Sequence, residues 1–198
     1  MGRPKTYNAE EIATKAMELF WMYGYKGTST QTLVEHMGVN RYSLYAEFGT
    51  KQGLYEAALK IYEKEVVTLY FHELETETSG IEEIKSVIER FRKATTDPQS
   101  KRGCFMCNSG TERSAHDEAT RNIVDSYVDR ISAAFTNALR NALNRGDIKS
   151  DINLEEEGSY FTTTILGFFV LLRSQTGDKV IKPAMSRALR HLNELKIS

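Results

Sequence analysis

Cysteine, proline and long apolar segments are all scarce in this sequence of 198 residues. Its two cysteines are too few for the disulfide framework of a small secreted protein. Its three prolines, and the lack of any low-complexity tract, argue against a disordered chain. The most apolar segment, residues 160–172, is 13 residues long, whereas a membrane-spanning helix needs about 20. We therefore expect a folded, soluble, cytoplasmic protein with no membrane partner.

Charge of one sign is not in excess either. The chain has 26 lysines and arginines against 27 acidic residues. Residues 1–51 carry only six basic side chains against five glutamates, so a nucleic-acid site would depend on where charges lie. Phosphate-binding, dinucleotide-binding, zinc-protease and nucleophile-elbow motifs are absent from the sequence. The sequence thus predicts a protein that is not an enzyme and that has no cofactor and no metal ion.

Helical periodicity runs through nearly the whole sequence, and we find no convincing strand. Asn8 is a candidate N-cap, an apolar helical face follows it, and Gly24 ends this first helix. Two helices of fewer than ten residues come next: one stops at Gly38, and the other lies between a capping Asn40 and Gly49. Helices this short are unstable alone, so they have to pack as a compact unit, which is the helix-turn-helix pattern.

The remaining sequence predicts a larger helical domain. One apolar face continues through residues 51–75, and four further helices follow the break at Gly80. The helix after Asn153 is apolar almost all round, which predicts burial against its own domain and against a partner subunit. The predicted fold class is all-α with about nine helices. A helix-turn-helix domain would occupy residues 1–50, and a ligand-binding and dimerisation domain residues 51–198.

Residues 28–59 read TSTQTLVEHMGVNRYSLYAEFGTKQGLYEAAL. A Thr/Ser-rich helix start, Leu-Val, Gly-Val, Ser-Leu-Tyr, and then Phe, Lys and Leu stand at fixed offsets in this segment. This pattern resembles the tetracycline-repressor (TetR) family of bacterial transcriptional regulators, over roughly residues 8–59. The resemblance implies a dimer that binds a palindromic double-stranded DNA operator as a repressor. It also implies a C-terminal domain that takes up a small-molecule effector and releases the DNA.

The N-terminal end of the recognition helix, predicted at 41–48, is the end that enters the major groove. Arg41 can donate two hydrogen bonds to guanine, Tyr42 can pack on a thymine methyl group or a sugar, and Ser43 can reach a base or a phosphate. Tyr42 and the acidic Glu47 depart from the commonest family pattern, so the operator sequence is not predicted.

The resemblance adds further DNA contacts by position. Thr30 and Gln31 would meet the backbone and a base, and Tyr45 and Lys51 would each meet a phosphate. Tyr45 has the alternative of a core position. The predicted DNA-binding set, including the N-cap of the recognition helix, is Thr30, Gln31, Asn40, Arg41, Tyr42, Ser43, Tyr45 and Lys51. Arg3 and Lys5 form a short basic arm that could reach the DNA backbone.

The last two helices would pair with those of a second subunit as a four-helix bundle. The predicted interface residues are Phe168, Leu171, Leu172, Ala188, Leu192 and Leu195. An effector pocket is expected among aromatic side chains of the C-terminal domain and the cysteine segment. The candidates are Cys104, Cys107, Tyr62, Phe105, Tyr127 and Phe161.

Both cysteines lie in RGCFMCNSGTE, residues 102–112, and several interpretations stay open. A structural zinc site needs four ligands, and only His116 lies nearby. Two thiolates could instead hold a soft metal such as Cu(I), or form a reversible disulfide. The stretch Gly-Cys-x-x-x-Asn is similar to a TetR subgroup with electrophile-responsive repressors of the NemR type, in which the position of Cys104 is the sensor. Both residues could also simply pack in the core.

The sequence therefore predicts a repressor that binds a palindromic operator as a homodimer and is released by an effector of unknown identity. A thiol- or metal-sensing regulator is one alternative. A helical adaptor protein that does not bind DNA is another.

Overall fold

The computed structural model describes residues 8–197 and shows helices joined by short turns. Helix α1 spans Ala9–Gly27 and begins at Asn8, whose side chain accepts a hydrogen bond from the Glu10 N–H at 3.0 Å. Gly24 interrupts α1 with φ of 76° and ψ of 173°, so the regular helix ends where the sequence predicts. The two short helices follow as α2, Thr30–Met37, and α3, Arg41–Phe48.

The predicted helix over 51–75 forms, with one irregular turn. It consists of α4, Lys51–Tyr62, a π-helical turn over Glu63–Val67, and α5, Thr68–Glu75. Helix α6 spans Ile81–Ala94 and begins at Gly80, whose N–H donates to the Glu83 carboxylate at 2.7 Å. The sequence predicts the continuity of α4 and α5 but not the π turn, which widens the helix by one residue at this point.

The cysteine segment forms a short helix between two turns of 3₁₀ helix. The turns span Pro98–Arg102 and Arg113–Ala115, and α7 between them spans Phe105–Thr111. The remaining helices are α8, Glu118–Arg145, α9, Leu154–Ser174, and α10, Asp178–Glu194. Among residues 8–197 the only extended pairing is an isolated bridge between Ile148 and Lys196. Within that range no helix is long and apolar enough to cross a membrane.

A continuous apolar core runs through the molecule. Helix α1 packs along α4, α8 packs along both α5 and α9, and α10 lies against α6 and α9. Phe20 of α1, Leu59 of α4 and Phe105 of α7 are all fully buried in this core. The helix-turn-helix unit is therefore connected to the larger helical domain through apolar packing, and the packing of α1 on α4 spans the predicted boundary at residue 50.

The predicted interface residues require a correction. Five of the six lie in the core of the single chain: Phe168, Leu172, Ala188, Leu192 and Leu195. The sixth, Leu171, is half-buried. The apolar periodicity correctly identified the inward face of α9 and α10, but side chains enclosed by their own subunit cannot also cover a partner. The outward face of α9 carries different residues, which are Tyr160, Thr163, Gly167 and Val170.

Candidate DNA-binding surface and effector cavity

The geometry of α2 and α3 follows from local capping and two buried leucines. The Ser29 hydroxyl accepts from the Thr32 N–H at 3.0 Å, and the Asn40 carboxamide accepts from the Ser43 N–H at 2.8 Å. Leu33 of α2 and Leu44 of α3 are fully buried against the core. These caps and anchors orient α3 so that its N-terminal end faces solvent.

Arg41 and Tyr42 lie on that solvent-facing end of α3. Both are exposed, and Tyr42 retains 84% of its surface. The Arg41 guanidinium carbon lies 5.4 Å from the centre of the Tyr45 ring, within the range of a cation–π contact. The Tyr45 hydroxyl lies 3.1 Å from the Thr30 hydroxyl. The pKa of Tyr45 is lowered, chiefly by the hydrogen bond with Thr30 and also by Arg41. Thr30, Tyr45 and Arg41 therefore form one connected group that spans α2 and α3.

The other predicted DNA-binding residues have more varied settings. Gln31 is exposed and its amide donates to Glu35 one turn further along α2. Asn40 is exposed and caps α3, and Ser43 is half-buried in the first turn of that helix. Arg3 and Lys5, the predicted basic arm, lie outside the described residues.

Lys51 has an internal partner that the sequence does not predict. Its ammonium donates to the Tyr25 carbonyl at 2.6 Å and lies 4.2 Å from the centre of the Tyr25 ring. Burial lowers the pKa of Lys51. Lys51 thus ties the start of α4 to the end of α1 beyond Gly24, and a phosphate contact from this position remains a prediction.

A cavity of about 140 Å³ lies between α1 and helices of the larger domain. Its wall is largely aromatic, with a few polar groups. The aromatic lining residues are Trp21, Tyr62, Tyr70, Phe71, Phe91, Tyr127, Phe168 and Phe169. Val66 and Val67 of the π turn also contribute to the wall, so the irregular turn borders the cavity. Aromatic walls with few polar groups are typical of small-molecule sites.

Three predicted effector residues meet in this cavity, whereas Phe105, Cys107 and Phe161 do not line it. Tyr62, Cys104 and Tyr127 line it. Phe105 is fully buried nearby, and its ring packs edge-on against Tyr62 with centroids 5.7 Å apart. Phe161 packs on Phe135 with centroids 5.8 Å apart and contributes to the core away from the cavity lining.

Cys104 lies in a cluster of hydrogen-bonding side chains. Its sulfur lies 3.4 Å from the Tyr127 hydroxyl oxygen, and the Tyr62 hydroxyl and Cys107 thiol also hydrogen bond to it. Burial opposes ionisation of Cys104, but the hydrogen bonds with Cys107, Tyr127 and Tyr62 outweigh it and lower its pKa below the ordinary cysteine value. Burial raises the pKa of both tyrosines, so they remain protonated donors. The arrangement favours a thiolate at Cys104.

Cys107 has a different environment. Its thiol is half-buried, and the hydrogen bond to Cys104 together with burial raises its pKa. It borders an apolar groove on the surface between α7, α8 and α9, where the outward-facing Gly167 and Val170 are also found. Both cysteines are free thiols, and no cluster of three or more metal-binding side chains occurs among the described residues.

Several contacts join the cavity region to α1. The Trp21 indole N–H donates to the Gly103 carbonyl at 3.1 Å, directly before Cys104 in the chain. The Arg173 guanidinium of α9 donates to the Met22 carbonyl at 2.7 Å. Helix α1 is thereby fixed to the cysteine segment and to α9, immediately above the cavity.

Glu112, at the C-terminal end of α7, makes further contacts with α1. Its carboxylate accepts from the Tyr25 N–H at 2.7 Å and from the Lys26 N–H at 3.5 Å. The positive φ of 76° at Gly24 favours glycine, and a Cβ there would lie 2.9 Å from this carboxylate and would displace it. Sequence reasoning missed Trp21 and Glu112, because each meets partners more than 80 residues away in the chain.

The fold and the exposed end of α3 define a helix-turn-helix DNA-binding protein. Residues 12–58 match the family described as bacterial regulatory proteins, tetR family, and residues 80–191 match the tetracyclin repressor-like, C-terminal domain. The chain therefore belongs to the TetR family of transcriptional regulators.

Individual relatives agree with this assignment. The uncharacterized HTH-type transcriptional regulator YezE of Bacillus subtilis (strain 168) is 31% identical over 151 residues, which are 76% of this chain and 78% of that protein. The HTH-type transcriptional repressor ComR of Escherichia coli (strain K12) is 27% identical over 195 residues, which are 98% and 93% of the two chains.

Solved structures show the same architecture. A cysteine mutant of the TetR family regulator CifR, complexed with a 26-bp double-strand operator DNA, superposes with a TM-score of 0.77 at 25% identity, covering 95% of this chain and 98% of that one. The reduced form of E. coli NemR gives a TM-score of 0.80 over 96% of each chain. At 16% identity this likeness concerns the fold alone.

Proposed function

We propose that this TetR-family regulator is a repressor that binds a palindromic operator as a homodimer in the bacterial cytoplasm, through binding alone and without catalysis. The exposed N-terminal end of α3 carries the proposal: Arg41 and Tyr42 project into solvent there, on a helix that its cap and Leu44 hold in place. ComR is a repressor by name, and CifR is complexed with operator DNA, which supports the same role here. The proposed DNA-binding residues are those predicted from the sequence, with Lys51 also serving to position α4.

The proposed effector site is the cavity beside Trp21. Trp21 belongs to α1, whereas Cys104 and Tyr127 belong to the larger helical domain, and all three line the same space. An occupant would therefore contact both halves of the molecule, and its binding would depend on how α1 sits on the domain below. A small, largely apolar molecule fits a cavity of about 140 Å³ with this lining.

The proposed dimer surface is the outward face of α9 and its neighbours. Val170 retains 44% of its surface and borders the apolar groove that also contains Gly167 and Val128. Val180 on α10 retains 58%. Exposed apolar side chains that share a groove are typical of an interface between subunits. The predicted use of α9 and α10 is kept in this proposal, with the outward residues in place of the buried ones.

Thiol sensing is a second candidate for the effector response. Its support is Cys104, whose sulfur lines the cavity and hydrogen bonds with two tyrosine hydroxyls. A molecule that enters the cavity would meet a thiolate, which is the reactive form of cysteine. Membership of the NemR-type subgroup remains a prediction. Metal sensing has weaker support, because the described residues around the two thiols offer no third ligand of the usual kinds.

A binding assay with the intergenic DNA upstream of the chain's own gene tests the proposal. A repressor gives a sequence-selective, salt-sensitive complex with two subunits per site, whereas a helical adaptor gives none.

Trp21 is the only tryptophan in the chain, so its fluorescence reports directly on occupation of the cavity. A compound that changes Trp21 emission and releases the DNA at the same concentration is an effector. Release that persists in both Cys104→Ser and Cys107→Ser would exclude thiol sensing while leaving the repressor role in place.

A further inference from the structure

Tyr42 is the most exposed large apolar side chain in the described part of the chain, at 84% of its full surface. An aromatic ring in this position contributes little to folding, because its apolar area stays in water. The backbone of Tyr42 is nevertheless fixed, since Tyr42 lies in the first turn of α3 and that turn is capped by Asn40. The ring is therefore available to a partner that approaches the end of α3.

Ala46 extends this apolar surface along α3. It is exposed and follows Tyr42 by four residues, so it lies on the same face about 6 Å further along the helix axis. The charged neighbour on this end of the helix, Arg41, lies to the side, with its guanidinium over the Tyr45 ring. The ring of Tyr42 and the methyl group of Ala46 thus form an apolar strip one helical turn long, which we call the 42–46 strip.

We propose that the 42–46 strip reads thymine methyl groups in the operator, which makes Ala46 a specificity-determining residue together with Tyr42. In the major groove only thymine, among the four bases, presents a methyl group, and an apolar side chain is the partner that distinguishes it. The end of the recognition helix that enters the groove is the end on which the strip begins. The strip therefore selects for thymine at positions next to the base that Arg41 reads. The inference depends on DNA binding by the family's helix-turn-helix and not on the proposed effector.

The test removes single methyl groups from the DNA. Each thymine of the operator half-site is replaced in turn by deoxyuridine, which keeps every hydrogen-bonding group and loses only the methyl. Binding is measured by fluorescence anisotropy at one fixed salt concentration. We expect one or two positions in each half-site at which the replacement weakens binding by about fourfold per methyl group. An operator that tolerates deoxyuridine at every position would overturn the proposal.

Protein variants then assign the positions to side chains. Y42A should remove discrimination between thymine and deoxyuridine at one position, and A46G should remove it at the next. Y42F should retain it, since the ring and not the hydroxyl makes the contact. If Y42F loses as much affinity as Y42A on all sequences, Tyr42 is a phosphate contact and the proposal fails. If A46G discriminates as the parent chain does, the role of Ala46 is excluded. Leu69→Ala, which changes an exposed apolar side chain of α5, is the control and should bind as the parent does.

Discussion

The guanidinium of Arg41 is positioned by neighbouring side chains before any DNA is bound. Its guanidinium is exposed at the end of α3 and lies over Tyr45, whose hydroxyl is paired with Thr30. A planar cation held against a ring loses less conformational freedom on binding than a free lysine would. Arginine also matches the two acceptors of guanine in the major groove.

Arg41→Ala should weaken specific operator binding by about 1 to 3 kcal/mol and relax the preference at one base position. The change should leave binding to non-specific DNA nearly unaltered, because the lost hydrogen bonds are to a base. Competition binding against operators mutated at each position measures both effects. An equal loss on every sequence would instead identify Arg41 as a phosphate contact.

Cys104 leads to a prediction about pH. Its pKa lies below the ordinary cysteine value because of its hydrogen bonds, and the thiolate is present above the pKa and absent below it. Alkylation of Cys104 by iodoacetamide should therefore reach its half-maximal rate at a pH below the ordinary cysteine pKa. Tyr127→Phe removes a hydrogen-bond donor from the thiolate, so the midpoint should move to higher pH.

Mass spectrometry locates the alkylated residue and gives its rate at each pH. Tyr160→Phe, which changes a tyrosine on the outward face of α9, serves as the control and should keep the midpoint of the parent chain. A rate at Cys104 that continues to rise through pH 9 would show that burial dominates over the hydrogen bonds.

At the scale of helices, the two faces of α9 have different surroundings. Its inward face contributes Phe168 and Leu172 to the core, and its outward face carries Val170 beside the apolar groove. Substitutions on the two faces should therefore have different consequences.

Val170→Glu should dissociate the dimer with little effect on unfolding of the subunit, because it places a charge on the exposed face that we propose as the dimer surface. Leu192→Ala, on the neighbouring α10, should lower the free energy of unfolding by about 2 to 5 kcal/mol through the cavity it leaves. Sedimentation and chemical denaturation measure the two effects. Leu69→Glu is the matched charge on an exposed position of α5, and a dimer that survives Val170→Glu places the interface elsewhere.

Helix boundaries could be predicted well from the sequence because their determinants are local. Asn8 and Asn40 both cap helices where their side chains suggest, and each accepts a backbone hydrogen bond. The π turn over Glu63–Val67 could not be predicted, since its five residues read as ordinary helix. Periodicity also shows that one face of α10 is covered without showing what covers it, so Leu192 was assigned to a partner although its own chain encloses it.

The candidate site was predictable to a smaller extent. Arg41 and Tyr42 belong to a contiguous motif and are exposed as expected. The cavity depends on contacts between distant segments. Trp21 reaches Gly103 across 82 residues, and nothing near either residue in the sequence indicates that they meet.

At the scale of the whole molecule, function depends on how the helix-turn-helix is held on the larger domain. Two half-sites about 34 to 36 Å apart can be engaged together only if both recognition helices keep their separation. We expect α7 to influence this separation, because Cys104 precedes it beside the cavity and the Glu112 carboxylate at its other end accepts from the Tyr25 N–H of α1. A displacement of α7 would therefore change the support of the DNA-binding unit.

Glu112→Ala should weaken binding to the full operator by about tenfold, or about 1.4 kcal/mol, because the Tyr25 and Lys26 N–H groups lose their charged acceptor. Binding to DNA with a single half-site should stay nearly unchanged, since α2 and α3 are not altered. Fluorescence anisotropy with the two DNAs measures both affinities. Glu118→Ala removes an exposed carboxylate at the start of α8 and is the control for net charge. Equal losses on full and half-site DNA would mean that Glu112 supports the helix-turn-helix itself, whereas a selective loss would establish it as the residue through which α7 sets the spacing of the two recognition helices.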